Sequence, residues 1–248
     1  MKKRSYNSLS DFYNDVKNHH NNPDFKGRAD TERKSFIGLT LSDIHKSKWS
    51  FPVGIERLRK MAEVKVEKPV KIKFYDQFDG FDIDIDRMYE HLDYLINEKK
   101  VKKLPKAIDI YVNIGENSDK TYTEMLHKTY ASLRIIDHLE SLGVRTSVWV
   151  AMYTVKPNVN SDGYFEVCVK KHSDPVNLGA LCTAISPWMC RYWGLLWLAG
   201  NFPTTKATMG HATRLPREEL PKDCIVIDNG FCLSETTANN FIESIKIA

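Results

Sequence analysis

KAIDIYVNIG (residues 106–115) and VRTSVWVAMY (144–153) are the two stretches on which the fold turns. In the first, Ala107, Ile108, Ile110, Val112 and Ile114 place apolar groups on both faces of an extended chain, and the second is likewise apolar on both faces. Strands of that kind belong in the interior of a covered sheet. Between them runs a segment of helical period, with Tyr122, Met125, Leu126, Thr129, Leu133, Ile136 and Leu139 on one stripe and a stop at Gly143. Strand, helix and strand with short links form a βαβ unit, whose right-handed crossover makes the two strands parallel.

Toward the carboxyl end, YFEVCVKK (164–171) supplies a further strand after an exposed turn at 157–163. LGALCTAISPWMCRYWGLLWLAGNF (178–202) then carries a single charge, Arg191. Its length would permit a membrane span. However, Asp174-Pro175 and Ser186-Pro187 each pair a capping residue with a proline suited to the first helical turn, which divides the stretch into two short buried helices, the second ending near Gly200. A polar loop (201–215), a short buried strand in CIVIDNG (224–230) and a helix over 234–245 complete an α/β core at 105–248. The expected fold class is a three-layer sandwich around a central, mostly parallel sheet.

Toward the amino end, the spacing of Leu9, Phe12, Tyr13 and Val16 predicts a short helix within a polar, basic arm (1–35) that continues as a linker. Residues 36–104 read as a small lobe. It has two helices around the break at Pro52-Val53-Gly54, a hairpin joining VKIKFYDQF (70–78) to FDIDID (81–86) through Asp79-Gly80, and an amphipathic helix in MYEHLDYLINEKK (88–100).

Composition narrows the function classes. The 248 residues are 42% hydrophobic and 27% charged, as in an ordinary globular chain. The net charge of +4 lies wholly in the first 50 residues, which hold ten Lys/Arg and six Asp/Glu, while the rest carries 26 of each sign. A neutral body argues against a dedicated duplex-DNA binder. Five cysteines without a C-x-x-C pair sit in apolar segments and read as buried free thiols. The opening MKKRSYNSLSDFYND has no secretory-signal pattern, so the expected setting is a reducing cytoplasm.

Ligands of open α/β sheets sit beyond the carboxyl ends of the strands, which directs attention to Asn113–Ser118 and to Asp228-Asn229-Gly230. The order here is VNIGENS ending a strand, a long amphipathic helix, the G-V-R-x-x-V strand from Gly143, and later VIDNG. It resembles the von Willebrand factor A domain. FIGLTLSDIHKSKWSFPVGIERL (36–58) and FYDQFDGFDIDIDRMYE (74–90) are similar to the amino-terminal part of a family of bacteriophage proteins with such a core. The resemblance implies a vWA/Rossmann-like core, a phage-encoded protein in the bacterial host, and a divalent cation such as Mg²⁺ at the strand ends. It also implies partners of the AAA-type ATPase class.

By that resemblance the metal-site positions are Asn113, Asn117, Thr213 and Asp228, with Gly115 at the remaining first-loop position. A hard cation wants charged oxygen ligands, and the first loop offers only amides, which reads as a degenerate site. His211, Arg214, Asp228 and Cys232 form no recognised catalytic spacing, and FDGFDIDID lacks the EF-hand pattern. Phosphate-loop, dinucleotide, nucleophile-elbow and zincin motifs are missing. Arg191, among Trp188, Met189, Tyr192, Trp193 and Trp197, needs an aromatic face and a carboxylate or strand-end carbonyl if buried. The leading expectation is a non-enzymatic interaction protein that contacts its partner through Arg191, Trp193, Trp197, His211 and Arg214. The alternative is a nucleic-acid-associated accessory factor that grips a single strand through residues 1–50, where Tyr6, Phe12, Tyr13, Phe25, Phe36 and Trp49 alternate with basic residues.

Overall fold

The computed structural model describes residues 2–21, 73–76, 82–83, 89, 95–98, 107–155, 162–202 and 211–245. In chain order the strands are β1 (Lys2–Tyr6), β2 (Lys73–Asp76), β3 (Asp82–Ile83), β4 (Leu95–Glu98), β5 (Ala107–Asn113), β6 (Arg145–Val155), β7 (Gly163–Lys170), β8 (His211–Ala212) and β9 (Ile225–Ile227). The α-helices are α1 (Leu9–Val16), α2 (Tyr122–Ser141), α3 (Leu178–Ile185), α4 (Leu195–Asn201) and α5 (Glu235–Ser244).

The βαβ unit forms as its pattern requires. β5 and β6 pair in parallel, with Ile110 opposite Val148 and Val112 opposite Val150. The crossover helix α2 opens on a capping box: Thr121 Oγ1 accepts the Glu124 N–H at 3.2 Å and the Glu124 carboxylate accepts the Thr121 N–H at 2.7 Å. It closes at Gly143, whose φ of +79° lets the Val144 N–H return to the Leu139 carbonyl at 3.0 Å. β9 joins the other side of β5 in parallel, and β7 pairs antiparallel with β6. The order β1-β7-β6-β5-β9, with β8 along the far end of β6, makes a mixed sheet with three parallel and two antiparallel pairings.

The expected third layer is not found among the described residues. All five described α-helices contribute to one core, which includes Ile110, Val112, Val148, Val150, Phe165, Val167 and Ile227 from one sheet face. The opposite face presents Tyr111, Ala151, Tyr164 and Val226, covered by Leu215 and Leu220 around a short 3-10 turn at Arg217–Glu219. The described sheet is therefore helical on one side and covered by an irregular segment on the other.

Residues 2–16 of the polar, basic arm pack against the core. The expected helix is present as α1, but a strand precedes it: β1 adds to the sheet edge in parallel with β7, placing Tyr6 opposite Val167. Its sequence KKRSY hid this, because an edge strand can be charged and still pair. Lys3 bonds Glu219 at 2.7 Å and lies over the Tyr164 ring, while Arg4 bonds Asp15 at 2.8 Å. Helix α1 then seats Phe12 and Val16 out of water. Phe12 meets Phe165 with ring centroids 5.0 Å apart, Phe165 meets Trp197 at the same separation, and Trp197 meets Phe202 at 5.8 Å. The Trp197 indole N–H donates to the Tyr6 hydroxyl at 2.7 Å, which itself donates to Asp15. Burial, reinforced by Asp15, pushes the Tyr6 hydroxyl up to about 12.

Two further expectations change. β2 and β3 are not partners in a hairpin, since each pairs antiparallel with β4, giving the order β2-β4-β3. Tyr89 is helical, but Leu95–Glu98, read as the end of that helix, is the middle strand of this small sheet. Leu95 and Ile96 fit either period over so short a run, and pairing on both sides decides for the strand. The helices around Pro52 and the arm beyond residue 21 lie outside the described residues.

The apolar stretch at 178–202 is divided as expected at Ser186, although α3 is capped by Asn177 rather than Asp174. After Pro187 the chain widens into a π-helical turn at Met189–Gly194, where the Leu195 N–H reaches the Cys190 carbonyl, and continues as α4. Among the described residues no helix is long and apolar enough to cross a membrane. At Gly200 a Cβ would run into the His19 ring, so this glycine lets the turn after α1 rest on α4.

Phe12→Ala is expected to lower stability by about 3–5 kcal/mol, as for other fully buried phenylalanines. Phe231→Ala, at an exposed site, should stay within about 0.5 kcal/mol. Chemical denaturation of both variants checks the pair, and equal losses would contradict the packing described. Gly200→Ala should cost roughly 1–3 kcal/mol from overpacking, read by the same measurement.

Candidate functional site

The carboxyl ends of β5 and β9 and the segment after β8 converge on one buried polar cluster. Asn113, the last residue of β5, is fully buried. Its amide NH₂ donates to the Thr213 carbonyl at 2.8 Å and to Asp228 Oδ1 at 2.9 Å, and its Oδ1 accepts the Gly115 N–H at 2.9 Å. Turning the amide over would set its oxygen against two acceptors, so the network admits one orientation. Asp228 Oδ1 also accepts the backbone N–H groups of Leu215 at 3.0 Å and Asn229 at 2.8 Å.

A second carboxylate lies beside the first. Glu116 accepts a bond from the Lys128 ammonium and the Gly230 N–H, the latter at 2.9 Å, and its other oxygen faces Asn229 Nδ2 at 3.3 Å. Lys128 comes from the sheet-facing side of α2 and also donates to the Asn113 carbonyl at 2.9 Å. Both side chains are nearly sealed from water, at 3% and 2% exposure for Lys128 and Glu116. Unpaired, either charge would be unaffordable there; paired and further hydrogen-bonded, each is satisfied.

The expected metal positions are thus brought together, but they face one another. Asn113, Thr213 and Asp228 are joined directly, with Thr213 entering through its backbone carbonyl, and Asn117 is one step away, accepting the Ala212 N–H at 3.1 Å. A divalent cation such as Mg²⁺ requires about six oxygen ligands in near-octahedral array. Here an N–H donor of Asn113 occupies the space between Thr213 and Asp228, and an ammonium serves Glu116. These residues do not fit the metal that the resemblance implies. Among the described residues no group of three or more His, Cys, Asp or Glu could hold a metal ion.

The residues expected to contact a partner divide into two sets. Trp193 and Trp197 are core residues, 6% and 0% exposed, so the aromatic segment is not the contact surface that its composition suggested. It packs on the sheet's helical face because aromatic side chains bury the most area there. Arg191 is buried at the π-helical turn and donates to the Lys120 carbonyl in the loop after β5. Desolvation lowers its pKa, and the nearby carboxylates Glu116, Glu124 and Asp119 oppose that shift. It is therefore an anchor of the strand-end loop. His211 and Arg214 are exposed at the rim, with the Arg214 guanidinium 5.7 Å from the centre of the exposed Phe231 ring.

The thiols offer no nucleophile. All five cysteines are free, four are buried, and burial raises every one, Cys182 and Cys232 up to about 11. At neutral pH they stay protonated. Cys232 belongs to the main core, whereas His211 is exposed, so the two do not make a catalytic pair.

The residues that sequence reasoning missed are Lys128 and the bridging role of Glu116. The signal was present: Met125, Lys128, Ser132, Ile135 and Leu139 share the buried stripe of α2, and a lysine in such a stripe demands a buried anion.

Comparison with curated proteins and with solved structures returned no match. A family model described as a domain of unknown function (DUF7192) matches residues 2–247, and the chain therefore belongs to that family.

Proposed function

We propose that this chain is a non-enzymatic protein-interaction module, phage-encoded and cytoplasmic, which uses a von Willebrand factor A-like scaffold with a degenerate metal site to dock on a protein partner. One observation carries this reading: the strand-end residues Glu116 and Asp228 are buried and their carboxylates accept hydrogen bonds from internal donors. General acid–base or metal-assisted chemistry needs a titratable group that a substrate can reach.

The surface around them suits contact instead. Phe231 is 40% exposed, Arg214 lies over its ring, and His211 stands on the same rim of loops. Exposed aromatic residues and arginines contribute disproportionately to protein–protein binding. The resemblance makes an AAA-type ATPase the first partner class to test.

The nucleic-acid reading loses support at its first residues. Lys3 and Arg4 are engaged by Glu219 and Asp15. Tyr6 and Phe12 are buried, and Tyr13 makes an edge contact with Trp193 at 5.1 Å. Phe25, Phe36 and Trp49 lie outside the described residues.

Affinity capture from expressing cells, followed by titration of the recovered partner, tests the proposal. Replacing Phe231 and Arg214 together with alanine should weaken binding at least about tenfold, near 1.4 kcal/mol, with the unfolding midpoint unchanged. Wild-type affinity in that variant would overturn the placement of the surface. In filter binding with single-stranded DNA, the chain should show no affinity falling steeply with salt; a steep slope would favour the rival reading.

A further inference from the structure

We infer that Lys128 is the resident cation of the strand-end site: its buried ammonium is the counterion of the adjoining Glu116 and Asp228 carboxylates, so the chain closes its strand ends without any metal. The inference does not depend on what the rim binds. Three features of the geometry converge on it.

The first is position. Lys128 projects from α2 to the end of β5, where its Nζ donates to the Asn113 carbonyl and to Glu116. The second is charge. Glu116 and Asp228 lie side by side beneath the same loops, linked through Asn229, whose N–H serves Asp228 while its amide serves Glu116 and the Gly115 carbonyl. Two neighbouring buried carboxylates call for a counterion, and Lys128 supplies one through a covalent tether. The third is the donor pattern. Asp228 Oδ1 accepts three N–H groups, those of Asn113, Leu215 and Asn229. A metal-binding carboxylate keeps lone pairs directed at the ion, whereas this oxygen is crowded with hydrogen-bond donors.

The tethered ammonium also joins several elements. Through Glu116 it connects α2 to the Gly230 backbone, and through Asn113 it reaches Asp228 and Thr213. The loops after β5, β8 and β9 are thus held by one covalently supplied positive charge.

Thermal unfolding and calorimetry of the full chain test this. The wild-type midpoint should be the same in EDTA and in Mg²⁺, Ca²⁺ or Mn²⁺ up to about 10 mM, a level above the weakest protein calcium sites at roughly 1 mM, and no binding heat should appear. Lys128→Met should lower the midpoint by about 10 °C or more, because it strands the Glu116 carboxylate. Lys128→Met combined with Glu116→Gln should recover at least half of that loss, since neither charge is then left alone. A divalent cation that raises the wild-type midpoint, with a heat abolished by Asp228→Asn, would overturn the inference. A double variant no more stable than Lys128→Met would overturn it as well. If Lys128→Met does not fold, the wild-type cation titration and the folding of the double variant still decide.

Discussion

A carboxylate removed from water must be met by donors or a cation, and at the strand ends of this protein two carboxylates impose that requirement together. The effective cost of burying each ion is several kcal/mol, while hydrogen bonds to a charged group return about 1.5–3 kcal/mol each. Glu116 and Asp228 are consequently surrounded by backbone N–H groups, two asparagine amides and one ammonium. The loops after β5, β8 and β9 owe their conformations to this demand, since each contributes groups that the others need. The end of the sheet that would ordinarily face a ligand is spent on its own cohesion.

The helical face supports that end from below. The π-helical turn at Met189–Gly194 brings Arg191 to the Lys120 carbonyl, so a hydrogen bond joins the apolar helices to the polar loops. Farther along the same layer, the line of rings from Phe12 through Phe165 and Trp197 to Phe202 ties α1 to β7 and α4. Local widening of a helix places a side chain where regular α geometry would not, and here that side chain is a guanidinium with a loop carbonyl to satisfy.

Much of the core was legible because its residues repeat one message. Ile110, Val112, Val148 and Val150 announce interior strands, and Gly143 closes the helix between them. The edge was not legible. KKRSY has no apolar alternation, for its pairing rests on backbone bonds to β7, while Lys3 and Arg4 look outward to Glu219 and Asp15. Leu95–Glu98 failed for a different reason: four residues are too few to separate the two periods, and only tertiary pairing resolves them. At the candidate site, Asn113 and Asp228 were found because a strand end draws attention to itself, and Thr213 through the resemblance alone. Lys128 was missed because a charged residue within an apolar stripe is easily skipped when the stripe is counted by its hydrophobic members.

The parallel edge strand has a consequence for the order of assembly. β1 pairs with a strand that lies roughly 160 positions later in the chain. During synthesis at about 5–20 residues per second, its partner does not exist until on the order of 10 s after β1 leaves the ribosome. Throughout that interval β1 must remain extended, solvated and unattractive to other exposed edges. A run of lysine and arginine suits this waiting period, since like charges repel neighbouring chains and discourage mispairing. The same basic residues that resemble a nucleic-acid-binding arm in the sequence thus serve as a temporary guard on a strand whose partner is made long after it.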